Sequence, residues 1–490
     1  MKKRHLLFIY FFTFLAADIG HLNSIYEGVA GDIPVRVIVK TPGVVPGLAD
    51  INIRVFSDKV HKVTARPIYW HAGEKGAPPA DIAYPVKGEN NLYSTQLWLM
   101  NFGSYNVQVK LYSGEEVFEI NIPVNSLALD IKQMEGSLEI ILLVLMLLLI
   151  FGAVNIITIS YRESTIHPDD ALPTERVKKS RYVMAVSFVL VLGIIYSGYK
   201  WWEDVEKLYA DNLFQSLQTE VEIVNIKNRD ILKVTITDPA ISEGRMPEII
   251  PDHGKIMHMY LIKDDLSVLS HIHPSRSIEN NHVFEVLMPP VPIGNYSVYM
   301  DITYESGLTE TIQKTIEYLS QPEVVKNGKV PIRDPDDSWT HAKMQHKIIW
   351  LNRKAEYLSE EEIKLEFQTF NSKMVSTKLE PYIQMGGHGA LISPENNVFI
   401  HFHPIGTISM ASQQIFDKQQ ELASNAASGI CYYGLPSDSA KTYSEGIQSN
   451  IGKVSFPPLS LDKAGDYFMW VQVKTEGEVV TEKFSFRVMK

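Results

Sequence analysis

Between Tyr26 and Val124 apolar and polar positions alternate in short runs such as VRVIVKT, ADINIRVFSD, NLYSTQLWLM, SYNVQVKLYS and VFEINIPV. Pro and Gly punctuate them, as in VPGLAD and EKGAPPAD. A period of two with turns at regular spacing predicts an Ig-like β-sandwich over 25–130. The alternation then stops. Leu138 to Ile159 is a run of 22 residues, apolar but for Glu139 at its outer edge, Asn155 and Thr158, about 33 Å as a helix and long enough to cross a bilayer. Val183 to Tyr199 is a second such run, closed by Tyr199, Trp201 and Trp202, the aromatic residues that favour a membrane interface. Two transmembrane helices are therefore predicted over 137–161 and 182–201, with a stalk helix over 202–219. After that the period of two returns, over 220–320 and 344–490, separated by a Pro- and Asp-rich linker over 321–343. The last region carries an insertion over 411–450, helical in composition from Ser412 to Ser424. The expected fold class is mainly β: three Ig-like β-sandwich domains outside the membrane plus two transmembrane helices.

Charge fixes an orientation for this plan. The loop 162–181 holds Arg162, Arg176, Lys178, Lys179 and Arg181, whereas Glu203, Asp204 and Glu206 follow the second span. By the positive-inside rule the loop is cytoplasmic and both large segments face outward, to the periplasm of a bacterial inner membrane. Lys2-Lys3-Arg4 followed by LLFIYFFTFLAA reads as a secretory signal peptide over 1–24, the alternative being an uncleaved anchor. No cysteine follows it, which excludes attachment by the lipoprotein route.

Composition narrows the partners. The chain of 490 residues is acidic, 57 Asp and Glu against 46 Lys and Arg, and has no basic patch to track phosphates, so nucleic acid is excluded as a partner. Membrane and protein partners remain. Cys431 is the only cysteine, so no internal disulfide forms and no Cys-x-x-Cys motif exists. It reads as a small buried residue, or else as a thiolate ligand from the insertion.

The candidate chemistry lies in HGKIMHMYLIKDDLSVLSHIHP, His253 to Pro274, which reads as a β-hairpin. With Asp264 and Asp265 as central turn residues, His258 falls opposite His271, and His273 shares the face of His271. Opposed Cβ atoms lie about 5 Å apart and diagonal ones about 7–8 Å, so the three imidazoles reach one ion. The pattern recurs: His258 and His271 are 13 residues apart, as are His388 and His401, and both copies end in His-x-His-Pro. Met288-Pro289-Pro290 with Gly294-x-Tyr296 matches Phe456-Pro457-Pro458 with Gly465-x-Tyr467, an internal duplication. Gly103-x-Tyr105 echoes the same turn in the first region, which has His61 and His71 but no His-x-His.

Two metal centres are thus expected, His258, His271 and His273, and His388, His401 and His403. His253, Met257 and Met385 are additional candidates. Neutral imidazole suits zinc, copper and nickel, and thioether tilts the choice to copper, with zinc as the alternative. Strand geometry points Met257 and Met259 away from the His258 face, which also reads as core packing. The competing reading of the histidines is a polar face hydrogen-bonded across the sheet. Ligation needs neutral rings, so affinity should fall as pH drops through about 6.5. His341 and His346 read as solvated linker residues.

The chain resembles a group of uncharacterised bacterial membrane-anchored periplasmic β-sandwich proteins with His-x-His-Pro domains. The likeness is carried by Leu97-Trp98-Leu99-Met100 with Gly103-Ser104-Tyr105, by His253-Gly254-Lys255-x-Met257-His258 with His271-x-His273-Pro274, and by Gly387-His388-Gly389 with His401-x-His403-Pro404. It spans nearly the whole chain and implies no particular activity. A looser similarity is to copper-handling periplasmic sandwiches such as copper-resistance carriers. This chain departs from them in lacking an N-terminal histidine ligand and a Met-rich run. The expected function is a non-enzymatic, membrane-anchored protein that holds or transfers metal, with a respiratory or export partner. The alternatives are a metal-free structural or assembly subunit and a His-metal hydrolase. The hydrolase is weakest, because no Glu or Asp stands beside either cluster in sequence as a general base.

Overall fold

A computed structural model describes residues 23–167, 170–319, 325–326, 331–340, 346–395, 398–428 and 452–490. The signal peptide read over 1–24 (but for Asn23 and Ser24), His341, Cys431 and most of the 411–450 insertion fall outside them. The chain is mainly β and divides into two compact units, Leu127–Gln215 and the rest.

The unit Leu127–Gln215 consists of α1 (Gly136–Glu163) and α2 (Thr174–Asp211), antiparallel neighbours that each carry a stretch long and apolar enough to cross a membrane. Leu143, Leu147, Phe151 and Val189 stand exposed on them, as expected of side chains whose solvent is lipid. The helices outrun the apolar runs. α2 begins inside the expected loop 162–181 and ends at Asp211, so the stalk is shorter than 202–219. Its 38 residues give about 57 Å.

The other unit begins with eight strands, β1 (Asn23–Ala30), β2 (Ile33–Lys40), β3 (Gly47–Val55), β4 (Lys62–Tyr69), β5 (Asp81–Pro85), β6 (Leu92–Leu99), β7 (Gly103–Ser113) and β8 (Glu116–Ser126), ordered β1-β2-β3-β6-β5-β4-β7-β8. Val35, Val37 and Val39 alternate inward with Ile51, Ile53, Val107 and Val109 around one core. The period of two in the sequence is the period of this burial.

The chain continues through β9 (Thr219–Ile226), β10 (Arg229–Ile236), a short α3 (Pro239–Ser242), β11 (Ile249–Ile250), β12 (His258–Lys263), β13 (Leu269–Ile272), β14 (Ser275–Arg276), β15 (Val283–Leu287), β16 (Gly294–Tyr304), β17 (Thr309–Tyr318), β18 (Val325–Lys326) and β19 (Ser338–Trp339). The last region holds β20 (His346–Leu351), β21 (Glu356–Leu358), β22 (Glu362–Asn371), β23 (Leu379–Glu380), β24 (His388–Ser393), β25 (Val398–Phe402), α4 (Met410–Ser428), β26 (Lys453–Ser460), β27 (Gly465–Thr475) and β28 (Glu478–Met489). In the first of these regions β11-β16-β12-β13 run side by side, with β17 also on β16; in the second β23-β27-β24-β25 do so, with β28 on β27. Each region also has its own apolar core.

Gly103, Gly294 and Gly465 open β7, β16 and β27 with φ of 121°, 144° and 157°. Two residues on, a tyrosine hydroxyl turns back to the chain four residues upstream. Tyr105 accepts from the Asn101 N–H at 2.8 Å, while Tyr296 and Tyr467 donate to the Pro292 and Lys463 carbonyls at 2.5 and 2.8 Å. The expected linker is not merely a connection. Ser338 and Trp339 pair with His271 and Ser270, and Lys255 holds Asp334 and Asp336 at 2.6 and 3.0 Å. His346 is buried rather than solvated, between Glu476 and Glu478 at 3.2 and 3.4 Å.

Candidate metal centre

The site grows from the two faces of β12 and β24. Met257, Met259 and Leu261 point into their own region's core, which leaves His258, Tyr260 and Ile262 on the other face. That second face is not solvated. Tyr260, Ile262, Leu269 and Tyr299 pack against Ala390, Ile392, Phe399 and Trp470 of the last region, and the Tyr299 and Phe399 rings stack at 4.1 Å and 7°. The two sheets thus lie face to face on their histidine-bearing sides, and all the expected histidine ligands meet in one place instead of two.

The registers differ from expectation. Tyr260, not His258, stands opposite His271, and Ala390 opposite His401. The turn after β12 is longer than Asp264-Asp265: the Leu266 backbone is left-handed (φ 58°), and the Asp265 Oδ1 accepts from the Ser267 N–H. Because the pairing moves by two positions and not one, every side chain keeps its face. The histidines therefore still converge.

One set comprises His258, His271 and His273, whose potential ligand atoms lie within 4.8 Å of one another; a second, equally tight set is His253, His388 and His403. His253 enters through a tight turn. Asp252 and Lys255 exchange backbone hydrogen bonds, and His253 and Gly254 take φ of 50° and 77° between them, as a type I′ hairpin turn requires. The last region has the same turn at Tyr382 to Met385, with Ile383 and Gln384 at φ 48° and 61°. His401 lies beside both sets, its ring centroid 4.3 Å from that of His403, 5.6 Å from His388 and 5.7 Å from His258.

Hydrogen bonds set the tautomers in the first set. His258 Nε2 donates to the Asp252 carbonyl at 3.1 Å. Gln472 donates its amide to Ser338 and Thr481, so its Oε1 accepts from His271 Nδ1 at 3.1 Å. His273 Nδ1 bonds Asp337 at 3.1 Å. A neutral imidazole has one N–H, so the lone pairs sit on His258 Nδ1, His271 Nε2 and His273 Nε2. The first two face each other at 3.2 Å. Two nitrogens bound to one ion at 2.0–2.1 Å and a tetrahedral angle are about 3.3 Å apart. In the same way Asp301 Oδ2 holds His401 Nδ1 at 3.0 Å and leaves Nε2 free to ligate. His253, His388 and His403 have no hydrogen-bond partner on either ring nitrogen among the described residues.

Burial also sets the protonation. It pushes the His258 ring down to about 4 and those of His271, His273, His388 and His403 well below the ordinary imidazole value. His253 moves the same way. These rings stay neutral, and competent to ligate, well below the expected threshold of about 6.5. Burial raises the Asp337 carboxyl to about 7. Burial alone would raise Asp252 too, but the His253 and His258 rings and the Ala411 N–H outweigh it and hold that carboxyl low.

Met257 and Met385 are placed in apolar clusters instead. Three carboxylates, Asp252, Asp301 and Asp337, stand beside the histidines, from a turn, from β16 and from the segment before β19. Asp252 adjoins His253 in sequence, whereas no local motif announces the other two. Asp301 was legible only through the pairing of β12 with β16, which sets it opposite His258. The insertion starts at the site as well: the Ala411 N–H at the start of α4 donates to Asp252 Oδ1 at 2.9 Å.

Residues 342–490 match the model of a domain of unknown function (DUF8832), which takes in the last region and its insertion. No curated protein matches the chain. Solved structures that it resembles are β-rich. The tetra-tandem repeat from the extending region of a large adhesion protein is 8% identical over 95% of this chain and 74% of that one, with a TM-score of 0.16. A putative membrane anchored protein from Corynebacterium diphtheriae is 8% identical over 96% of both chains, also at 0.16. Escherichia coli alpha-2-macroglobulin is 8% identical over 95% of this chain and 44% of that one, at 0.19. Scores this low carry no argument about the site.

Proposed function

We propose that this chain is a membrane-anchored metal-binding protein that holds copper, in preference to zinc, in one histidine centre closed between two facing β-sandwiches. The observation that carries this reading is eight buried imidazole nitrogens, on His253, His273, His388, His401 and His403, without a hydrogen-bond partner among the described residues. Each unmade bond costs about 1–3 kcal/mol. Eight of them rival the whole stability of a domain, about 5–15 kcal/mol. Ligation removes that cost at several nitrogens at once.

With the methionines in the cores, copper rests on the affinity order among divalent ions at nitrogen ligands. Burial of the rings favours holding metal over handing it on rapidly, and partners in the membrane or periplasm would supply or use it. In this reading the three β regions are Ig-like, the Gly-x-Tyr corners being a feature of such sandwiches, and the two histidine regions are copies of one ancestor, as the matching strand order supports. The basic connector between the helices is cytoplasmic and the β regions face the periplasm of a bacterial inner membrane. The chain is not an enzyme: Asp301, Asp337 and the Asp252 carbonyl orient rings rather than act as general bases.

Full-length protein purified in detergent and dialysed against a weak chelator should retain stoichiometric copper by mass spectrometry, and the His271→Ala/His273→Ala/His388→Ala/His403→Ala variant, which takes two rings from each set, should lose it. Stoichiometric metal in that variant would place the site elsewhere. A wild-type protein that takes up neither copper nor zinc would leave the docking-subunit reading.

A further inference from the structure

Resting on that reading, we infer that the centre is dinuclear: the two histidine sets hold two copper ions as one interacting pair, with His401 beside both. Three observations lead there. The nitrogens converge in two separate sets of three, each within 4.8 Å, so one ion cannot satisfy both. The sets also touch directly. His271 and His388 have ring centroids 5.7 Å apart, and His258 and His388 stack at 6.4 Å and 23°.

The third observation is that each region reaches into the other's histidines. His258 pairs with Asp301 across its own sheet, and His388 with Gln472. Yet Asp301 bonds His401 and Gln472 bonds His271, each across the interface. The two tight turns cross over as well: His253 joins His388 and His403, while the Tyr382 hydroxyl comes to 3.4 Å from His271 Nδ1. Two adjoining sets, one oriented by Gln472 of the opposite region and the other completed by His253 of the opposite region, are what this exchange builds.

Charge selects the oxidation state. The ligand rings are neutral, so the ions' mutual repulsion is set by their own charges, and the product of two monovalent charges is fourfold smaller than that of two divalent ones. Cu(I) fits two adjacent buried sites better than Zn(II) or Cu(II). The sites are not equal, since Gln472 and Asp337 orient rings of one, whereas the three rings of the other have no hydrogen-bond partner among the described residues.

The test uses full-length protein in detergent, titrated anaerobically with Cu(I) as its acetonitrile complex against a chromophoric chelator. Saturation at two copper ions per chain is expected. Oxidation with ferricyanide, one electron per copper, should then give a half-field resonance or a spin count below the copper content. Variants His271→Gln/His273→Gln and His388→Gln/His403→Gln should each bind one copper with a full mononuclear spin count. The wild-type titration decides the matter even where a variant fails to fold. Saturation at one copper, or two ions whose spin count equals the copper content without a half-field line, overturns the pair while leaving the metal-binding reading intact. No copper at all overturns both.

Discussion

Acidifying the metal-free protein should destabilise the unit that contains the histidine centre over a window set by its buried rings. His258 falls from an ordinary 6.5 to about 4 in the folded state. Between those values the unfolded chain binds the proton and the folded one does not, so stability is fully present above pH 6.5 and is lost as pH falls toward 4. At about 1.4 kcal/mol per pH unit, His258 alone accounts for about 2 kcal/mol between pH 6.5 and 5. His253, His271, His273, His388 and His403 shift in the same direction. Asp337 opposes them. Its carboxyl, raised to about 7, costs stability near neutrality and returns a comparable amount over the same interval. Burial raises Glu285, Glu310, Asp417 and Glu482 as well, and these oppose the rings toward the acid end of the window, so the net loss is that of six rings less these carboxyls. The held-down Asp252 matters only below this window. Thermal unfolding of chelator-treated protein, followed by circular dichroism from pH 7.5 to 5, should show the apparent Tm falling by about 5 °C or more. Cu(I) added at pH 7.5 should raise it, because an ion that binds only the folded state stabilises by mass action. A metal-free Tm that is flat or rises as pH falls would refute the buried-neutral-ring argument.

Asp301→Asn keeps a hydrogen bond to His401 but removes the charge, and should weaken copper binding about 10- to 100-fold in chelator competition; unchanged affinity would take Asp301 out of the site. Gly406→Ala should destabilise by about 3 kcal/mol or more, because its φ is +127° and an added Cβ would lie 1.8 Å from the Ile25 carbonyl oxygen; a wild-type Tm would contradict that packing of β1 on the loop after His403. Tyr296→Phe loses the bond to the Pro292 carbonyl and should cost about 1 kcal/mol in chemical denaturation, with no effect expected on copper stoichiometry. An alkaline phosphatase fused at Asp170 should be inactive and one fused at Lys490 active; the reverse would overturn the orientation.

What the sequence revealed, and what it hid, follows from the range of the interactions involved. The period of two exposed the strands because burial on one face is local to each strand, and the apolar runs exposed the helices for the same reason. The histidines' common face was legible although their register was not: a two-residue shift, driven by the left-handed Leu266, leaves the face unchanged. His253 was marked as an addition but not as the third member of the second set. Its only signal was Asp-His-Gly-Lys, a sequence suited to a type I′ turn, and nothing local says which histidines such a turn reaches. Asp337 and Ser338 were hidden more deeply, since a Pro- and Asp-rich stretch reads as a connection until β19 is seen to pair with His271. The merging of two centres into one could not be read at all. It depends on two outward faces, each polar enough to look solvated, covering one another.

That mutual covering would link a bound metal to the fold. A histidine face on a lone sandwich would meet water, which satisfies its ring nitrogens and also protonates them near pH 6.5. Facing sheets exclude the water. This keeps the rings neutral to lower pH and leaves eight of their nitrogens without a hydrogen-bond partner among the described residues, so the same burial that prepares the ligands makes the empty interface costly. Around the rings Tyr299 on Phe399 and Tyr260 against His401 supply apolar contact that does not depend on an ion, and the Gln472 and Asp301 bonds cross the interface without one. Loss of metal should therefore loosen the two regions locally rather than separate them. In hydrogen exchange, protection should drop on chelation at β12, β13, β24 and β25 and stay unchanged at β2, β3 and β6, whose core takes nothing from the centre's rings. Equal protection with and without copper at β12 and β24 would mean that the interface is complete by itself, and that the unpaired nitrogens are satisfied by something other than a metal.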